Sequence, residues 1–178
     1  MEMLTVFSLI AVALTISSSY APGVDACGGY KLYVDYFRNC GKNDIIQLSD
    51  DFGPVLNEDC TVAMNGCSTV KRSFKTAQVT YDLTRNGAHY TGTKNACQLL
   101  ESVHGEVLSI MDSIGAPHHC PIKEGTVCAE GKQISIRKHR IKLPMMSGTT
   151  KGKMEIKTNS GNACFEFSAS LNRRLFSG

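Results

Sequence analysis

The chain has 178 residues, eight cysteines, no tryptophan and a formal net charge of +3. That mild basic excess is far from a nucleic-acid-binding composition, and no basic run carries the interleaved aromatics that would stack bases. It does suit a transient contact with an anionic membrane surface.

In chain order the first element is MEMLTVFSLIAVALTISSSYAPGVDAC. Leu4 to Ile16 run without a charge, too few residues to span ~30 Å of bilayer core, which takes about 20. The run has the length of a signal-peptide core, and the small residues Ser17, Ser18, Ser19, Ala21 and Ala26 follow it. Residues 1–26 are therefore expected to be a signal peptide, cleaved between 19 and 26, which leaves 27–178 as a single secreted domain. Acidic Glu2 is atypical for such a leader. All eight cysteines (Cys27, Cys40, Cys60, Cys67, Cys97, Cys120, Cys128 and Cys164) lie beyond it. An even count in an oxidising compartment reads as four disulfides, for which sequence alone leaves 105 pairings.

Most of the remaining chain reads as short strands. YKLYVDYF alternates, with Leu32, Val34 and Tyr36 on one face and Tyr33 and Phe37 on the other. CTVAMNGCSTV is an extended run broken at Asn65-Gly66. AQVTYDLTRNGAHYTG predicts a hairpin, because Asn86-Gly87 accepts the positive φ values of a type I′ turn. NACQLLESVHGEVLSIMDSIG breaks the pattern: Leu100, Val103, Val107, Met111 and Ile114 recur at helical spacing, and Leu99, Leu108 and Ile110 widen the stripe. Gly105 weakens its middle, and Gly115 with Pro117 ends it. KQISIRKHRIKL alternates again, but its apolar parity shifts from Ile134 and Ile136 to Ile141 and Leu143, predicting a bulge or bend. KGKMEIKTNSGNACFEFSASL predicts a last hairpin turning at Asn159-Ser160-Gly161-Asn162. Together these predict an all-β fold, an antiparallel two-sheet β-sandwich with one inserted amphipathic helix, stapled by disulfides.

HHCPIKEGTVC raises the question of a metal site. Zinc at His118, His119, Cys120 and Cys128 needs thiolates, whereas a secreted chain with paired cysteines oxidises them. A bridge between Cys97 and Cys120 would instead clamp both ends of the helix. No hydrolase elbow, H-E-x-x-H, phosphate loop or dinucleotide glycine pattern is present, so no cofactor is implied. His89, His104, His118, His119 and His139 fall in different elements with no Ser or Asp partner evident from spacing.

Cys120-Pro121-Ile122-Lys123-Glu124-Gly125-Thr126 resembles the cysteine-proline-x-lysine-x-glycine corner of the ML lipid-recognition superfamily, and within it the ganglioside-activator branch. The likeness continues through Leu143-Pro144, from Gly148-Thr149-Thr150 to Gly152, and into SGNACFEFSASL. A looser likeness covers TVAMNGCSTV and the helix after Cys97. The resemblance implies a secreted or lysosomal β-sandwich shaped as a cup whose sheets part to hold acyl chains. It implies the bridges Cys97–Cys120 and Cys40–Cys164; Cys27, Cys60, Cys67 and Cys128 have no clear counterparts in that branch, and the even count leaves them to pair among themselves. The implied function is non-catalytic: extraction or carriage of an amphipathic lipid (glycolipid, phospholipid or fatty-acid-like) and its presentation to a partner glycosidase or receptor. Similar insect proteins include chemosensory carriers of hydrophobic ligands, and recognition of microbial lipid in innate immunity would use the same cup. The chain departs from the activator branch in having His118 and His119 where that branch has a further bridge, and in lacking tryptophan, so ganglioside specificity does not follow.

A cup lined by apolar side chains holds a lipid tail with no reactive group, at about 0.8 kcal/mol per CH₂. The residues expected to contact lipid are Leu99, Leu100, Val103, Val107, Leu108, Met111 and Ile114 of the helix, with Leu143, Met145 and Met146. The last three form an expected membrane lip, flanked by Arg137, Lys138, Arg140 and Lys142 before it and Lys151 and Lys153 after it.

Overall fold

The computed structural model describes residues 27–113, 115–129, 131 and 133–173, so the expected signal segment lies outside them. In chain order these residues form β1 (Tyr30–Asn39), β2 (Ile46–Leu48), β3 (Gly53–Leu56), β4 (Thr61–Asn65), β5 (Cys67–Val70), β6 (Ala77–Arg85) and β7 (Ala88–Asn95). Helices α1 (Ala96–Ser102) and α2 (Glu106–Ser113) follow, then β8 (Gly125–Cys128) and β9 (Gln133–Ser135). A 3₁₀ helix (Arg137–Lys142), α3 (Leu143–Met146), β10 (Gly148–Thr158) and β11 (Gly161–Arg173) complete the order.

The long alternating segments build one layer, an antiparallel five-stranded sheet in the order β1-β11-β10-β6-β7. Along β10 half-buried and exposed residues alternate strictly, as a sheet with one solvated face requires. The β6–β7 turn has φ of 49° at Asn86 and 84° at Gly87, the two positive values of a type I′ turn. The last hairpin is tighter than the four-residue turn expected. Thr158 pairs with Gly161, so only Asn159 and Ser160 lie outside the ladder.

In β1 the register shifts between Val34 and Tyr36, and the inner face passes from Leu32 and Val34 to Phe37. This corrects the alternation read from sequence, which put Tyr36 with Leu32 and Val34. Phe37 instead stacks on Phe167, with ring centroids 5.6 Å apart, and meets Phe52 at 5.5 Å. The displaced Asp35 accepts a hydrogen bond from Ser168 Oγ at 2.6 Å.

The second layer is a three-stranded ribbon with a crease. Its upper half is β2-β5-β8 and its lower half β3-β4-β9, each antiparallel. At the crease Ser49 N–H donates to Cys67 O, Cys67 N–H donates to Ser49 Oγ, and Ala129 N–H donates to Gly66 O. β1 and β11 lie against β2 and β3 and close one side of the sandwich. On the other side α1 lies beside β6 and α2 beside β9.

Two expectations are corrected here. The single inserted helix is two helices, because Gly105 takes φ of 65° and turns the chain between them. The strand expected through Leu143 stops at Ser135. Its partner β4 runs out at Thr61, and Cys60 has φ of 65°, so no ladder remains to continue. The apolar pair Ile136 and Leu143, seven residues apart, instead marks one side of a helical segment, and both side chains reach the same buried cluster.

Buried apolar mass gathers at the two ends. Ile45, Phe74, Ala77 and Ile122 form one cluster, and Cys27, Cys60 and Leu143 the other. Ala77 starts β6 opposite Thr158, whereas Leu171, which packs on the second cluster, pairs with Gly148 at the far end of the same sheet. Between them Val79, Tyr81, Leu83, Met154 and Phe167 are only half-buried.

Candidate binding cavity

A cavity of about 730 Å³ lies between the creased layer and the loop that precedes β8. One wall is Phe52 with Ser68 and Val70 of β5 and Val127 of β8, and the facing wall is the 115–123 loop, including Ala116, Pro117, Pro121 and Ile122. Its size falls within the ~300–1,000 Å³ of sites that take one small-molecule ligand. Gly66 and Ala129 place the crease at its edge. His118, His119, Lys123 and Glu124 supply its polar groups.

The loop wall is held from several directions. The Cys97–Cys120 disulfide joins it to α1. Ile122 and Phe74 exchange both backbone hydrogen bonds at 2.9 Å, and Glu124 N–H donates to Ser73 Oγ at 2.9 Å. Ala116 N–H returns to Met111 O, and His118 Nε2 lies 2.8 Å from Asp112 Oδ1, which ties the loop to the end of α2. The peptide bond before Pro121 is cis. The opposite wall is fixed by the Cys67–Cys128 disulfide, which joins directly opposed residues of β5 and β8.

The other bridges are Cys40–Cys164 and Cys27–Cys60, and no cysteine is free. Among the described residues no group of three or more His, Cys, Asp or Glu is placed to hold a metal ion. Two His–Asp pairs form, His118–Asp112 and His89–Asp82, the latter at 2.7 Å on the β6–β7 hairpin. Neither histidine bonds a serine or cysteine among the described residues, so neither pair is set to activate a nucleophile. The Lys153 ammonium is held above the usual lysine range by its hydrogen bond to the Glu155 carboxylate, on the outer face of the large sheet away from the cavity.

The residues expected from the sequence to contact lipid fall elsewhere. Leu100 packs on the Ile122 cluster, and Val103, Leu108 and Met111 are half-buried. Leu99 and Val107 are exposed. Leu143 is 3% exposed against the Cys27–Cys60 bridge, which corrects its place in the expected lip, while Met145 and Met146 stand in solvent. None of these nine borders the cavity, and Ile114 lies outside the described residues. The cavity's own lining went unread because its strands are three or four residues long, too short for periodicity to register. A usable signal was the pair CSTV and GTVC, in which the cysteines and valines mark opposite faces of two partnered strands.

The family model described as ML domain (E1_DerP2_DerF2) matches residues 35–171. A comparison with curated proteins gives no match. Among solved structures, the chain is similar to chicken MD-1, whose crystal structure is complexed with lipid IVa. The identity is 12%, over 83% of this chain and 92% of that one, with a TM-score of 0.32.

Proposed function

The chain belongs to the ML-domain family of lipid-binding proteins, and on that premise we propose that it is a secreted, non-catalytic carrier. It takes the apolar tail of an amphipathic lipid into the cavity beside β5 and β8, exchanges it at membrane surfaces, and presents it to a partner enzyme or receptor. The observation that carries this reading is the cavity itself, with apolar walls and polar groups gathered on the 118–124 segment. About ten methylenes at ~0.8 kcal/mol each give roughly 8 kcal/mol, which corresponds to micromolar affinity with no reactive group. At about 30 Å³ per water-sized group, the volume takes on the order of two dozen such groups, which suits one acyl chain with its head better than a two-chain lipid. Lys123, His118 and His119 offer hydrogen-bond donors at the polar side and Glu124 an acceptor, so a polar head that both accepts and donates hydrogen bonds fits there.

The test is mass spectrometry of organic extracts of the purified protein, with titration of a fluorescent fatty acid. A co-purified single-chain lipid and saturable one-to-one uptake are expected. Absence of both would overturn the carrier reading.

A further inference from the structure

At the end of the sandwich built on Ile45 and Phe74, three segments converge: the loop 41–45, the loop 71–76, and residues 157–162 around the β10–β11 turn. Hydrogen bonds lace them together. Ile45 N–H donates to Asn162 O and Lys71 N–H to Ile45 O. Asn159 Oδ1 accepts from the N–H groups of Lys75 and Thr76, and Ser160 Oγ donates to Ser73 O. This fixed base carries five exposed cations, Lys42, Lys71, Arg72, Lys75 and Lys157. None of them is in an ion pair among the described residues. The one acid on these segments, Asp44, is buried, and its carboxylate accepts from Gly41 N–H. Of the neighbouring acids, Glu155 already pairs with Lys153, which leaves Glu124. In a chain with 19 basic and 16 acidic residues, this end is strongly one-signed.

We propose that this end binds a sulfated polysaccharide. The inference goes beyond the carrier reading and takes from it only the secretion that brings the chain to such a glycan. The first support is shape. A polar groove of about 660 Å³ lies on the outer face of the large sheet, lined by Lys42, Asn43, Gln78, Thr80 and Lys157 among others. A second hollow of about 330 Å³ shares Gln78 and Lys157 with it and continues to Thr76 and Asn159. Arg72 reaches the groove at Gly161, where its Nη2 would meet an added Cβ at 3.4 Å. A trough drawn out along several residues suits a chain of sugar rings better than a single small ion. The second support is chemistry. Lysine and arginine give charge-assisted hydrogen bonds to sulfate oxygens, while the amides and hydroxyls between them donate and accept as sugar hydroxyls require. Lys71-Arg72-Ser73-Phe74-Lys75 is the kind of short basic run that marks a polyanion patch. Among the described residues, the exposed large apolar side chains all lie on other segments. The end therefore lacks the anchors of a tight protein interface or an inserting membrane surface, and the aromatic platforms that stack nucleic-acid bases.

The test is fluorescence anisotropy with a labelled heparin oligosaccharide. Saturable binding by wild type, weakened as salt is raised and absent for the desulfated oligosaccharide, is expected. The Arg72→Gln, Lys75→Gln variant should bind on the order of tenfold more weakly, since two charge-assisted contacts are lost. Lys42→Gln, Lys157→Gln tests the other wall of the groove with the same expectation. All four changes are at exposed sites, and an unchanged Tm verifies folding. Arg140→Gln, Lys142→Gln removes as much charge beside Leu143 at the opposite end, and should bind within about twofold of wild type, because salt screens charges so far from the groove. Equal weakening in that control, wild-type binding by both folded groove variants, or no binding by wild type would overturn the proposal. Displacement of the probe by a DNA duplex as readily as by unlabelled heparin would also overturn it, in favour of an unselective polyanion site. Fatty-acid uptake reports the carrier reading separately: uptake without heparin binding refutes only this inference, and heparin binding without uptake refutes only the carrier.

Discussion

Replacing Gly66 by alanine tests whether the crease holds the cavity wall. Gly66 has φ of +80°, and a Cβ built there falls 2.6 Å from Phe52 Cα and 2.7 Å from Phe52 N. The left-handed backbone alone costs an L-residue about 1–2 kcal/mol. The clash is with backbone, so the strands must also part, straining the Ser49–Cys67 and Gly66–Ala129 hydrogen bonds, each with a net value of about 0.5–1.5 kcal/mol. A total of roughly 3–5 kcal/mol is expected. Gly87→Ala is the control: its φ is +84°, but nothing lies within 4 Å of the new Cβ, leaving only the first contribution. The two variants should differ by about 2–3 kcal/mol in urea unfolding, or roughly 4–12 °C in Tm. Gly66 and Phe52 also border the cavity, so Gly66→Ala should bind the fatty-acid probe more weakly while Gly87→Ala binds as wild type. Equal destabilisation in the two variants, within about 0.5 kcal/mol, would refute a crease that depends on close approach at Gly66.

Three further outcomes follow from neighbouring contacts. Removing the Cys67–Cys128 bridge as a double serine variant, across a separation of 61 residues, should cost about 4 kcal/mol in guanidinium melts. Val127→Phe should change stability by less than about 1 kcal/mol, because the ring enters cavity space rather than overpacking a filled core, while uptake of the fluorescent fatty acid falls. Leu143→Ala should cost about 2–5 kcal/mol, whereas Met145→Ala at 81% exposure should stay within about 0.5 kcal/mol in the same melts.

The layered fold was legible where strands are long. In β6 and β10 alternation extends over enough residues to fix the faces, and Asn86-Gly87 announces its turn through backbone chemistry alone. Legibility failed where a tertiary partner decides. The parity change at Asp35 follows from a bulge against β11 that no local pattern records. The stop after Ser135 follows from the turn at Cys60 in another strand. Gly105 was visible as a weak point in the helix, yet only its positive φ converts weakness into a break. The candidate site was least legible, because a helical stripe in sequence reads the same over a filled core or a hollow one. Leu143 and Ile141 show the same limit. Both were apolar residues in a basic segment, and only the Cys27–Cys60 cluster makes one an anchor and leaves the other in solvent.

That cluster also explains how a sandwich with room inside can remain folded. An apolar residue facing a cavity contributes less than one packed on all sides, since its lining loses contacts on the open side. Stability must then be concentrated elsewhere, and here it lies at the ends and in covalent ties. Cys27–Cys60 sits in the buried cluster with Leu143, and Cys97–Cys120 packs against the cluster at the other end. Cys67–Cys128 braces the two strands beside the crease, where ladder hydrogen bonds are interrupted, and Cys40–Cys164 extends the β1–β11 edge beyond Asn39. Each of the last two therefore acts near the cavity or at a layer edge, where side-chain packing supplies least. The arrangement separates the work of staying folded from the work of holding a ligand. It accounts for a cavity wall of small strands and loop that a lipid tail can fill without the end clusters having to repack.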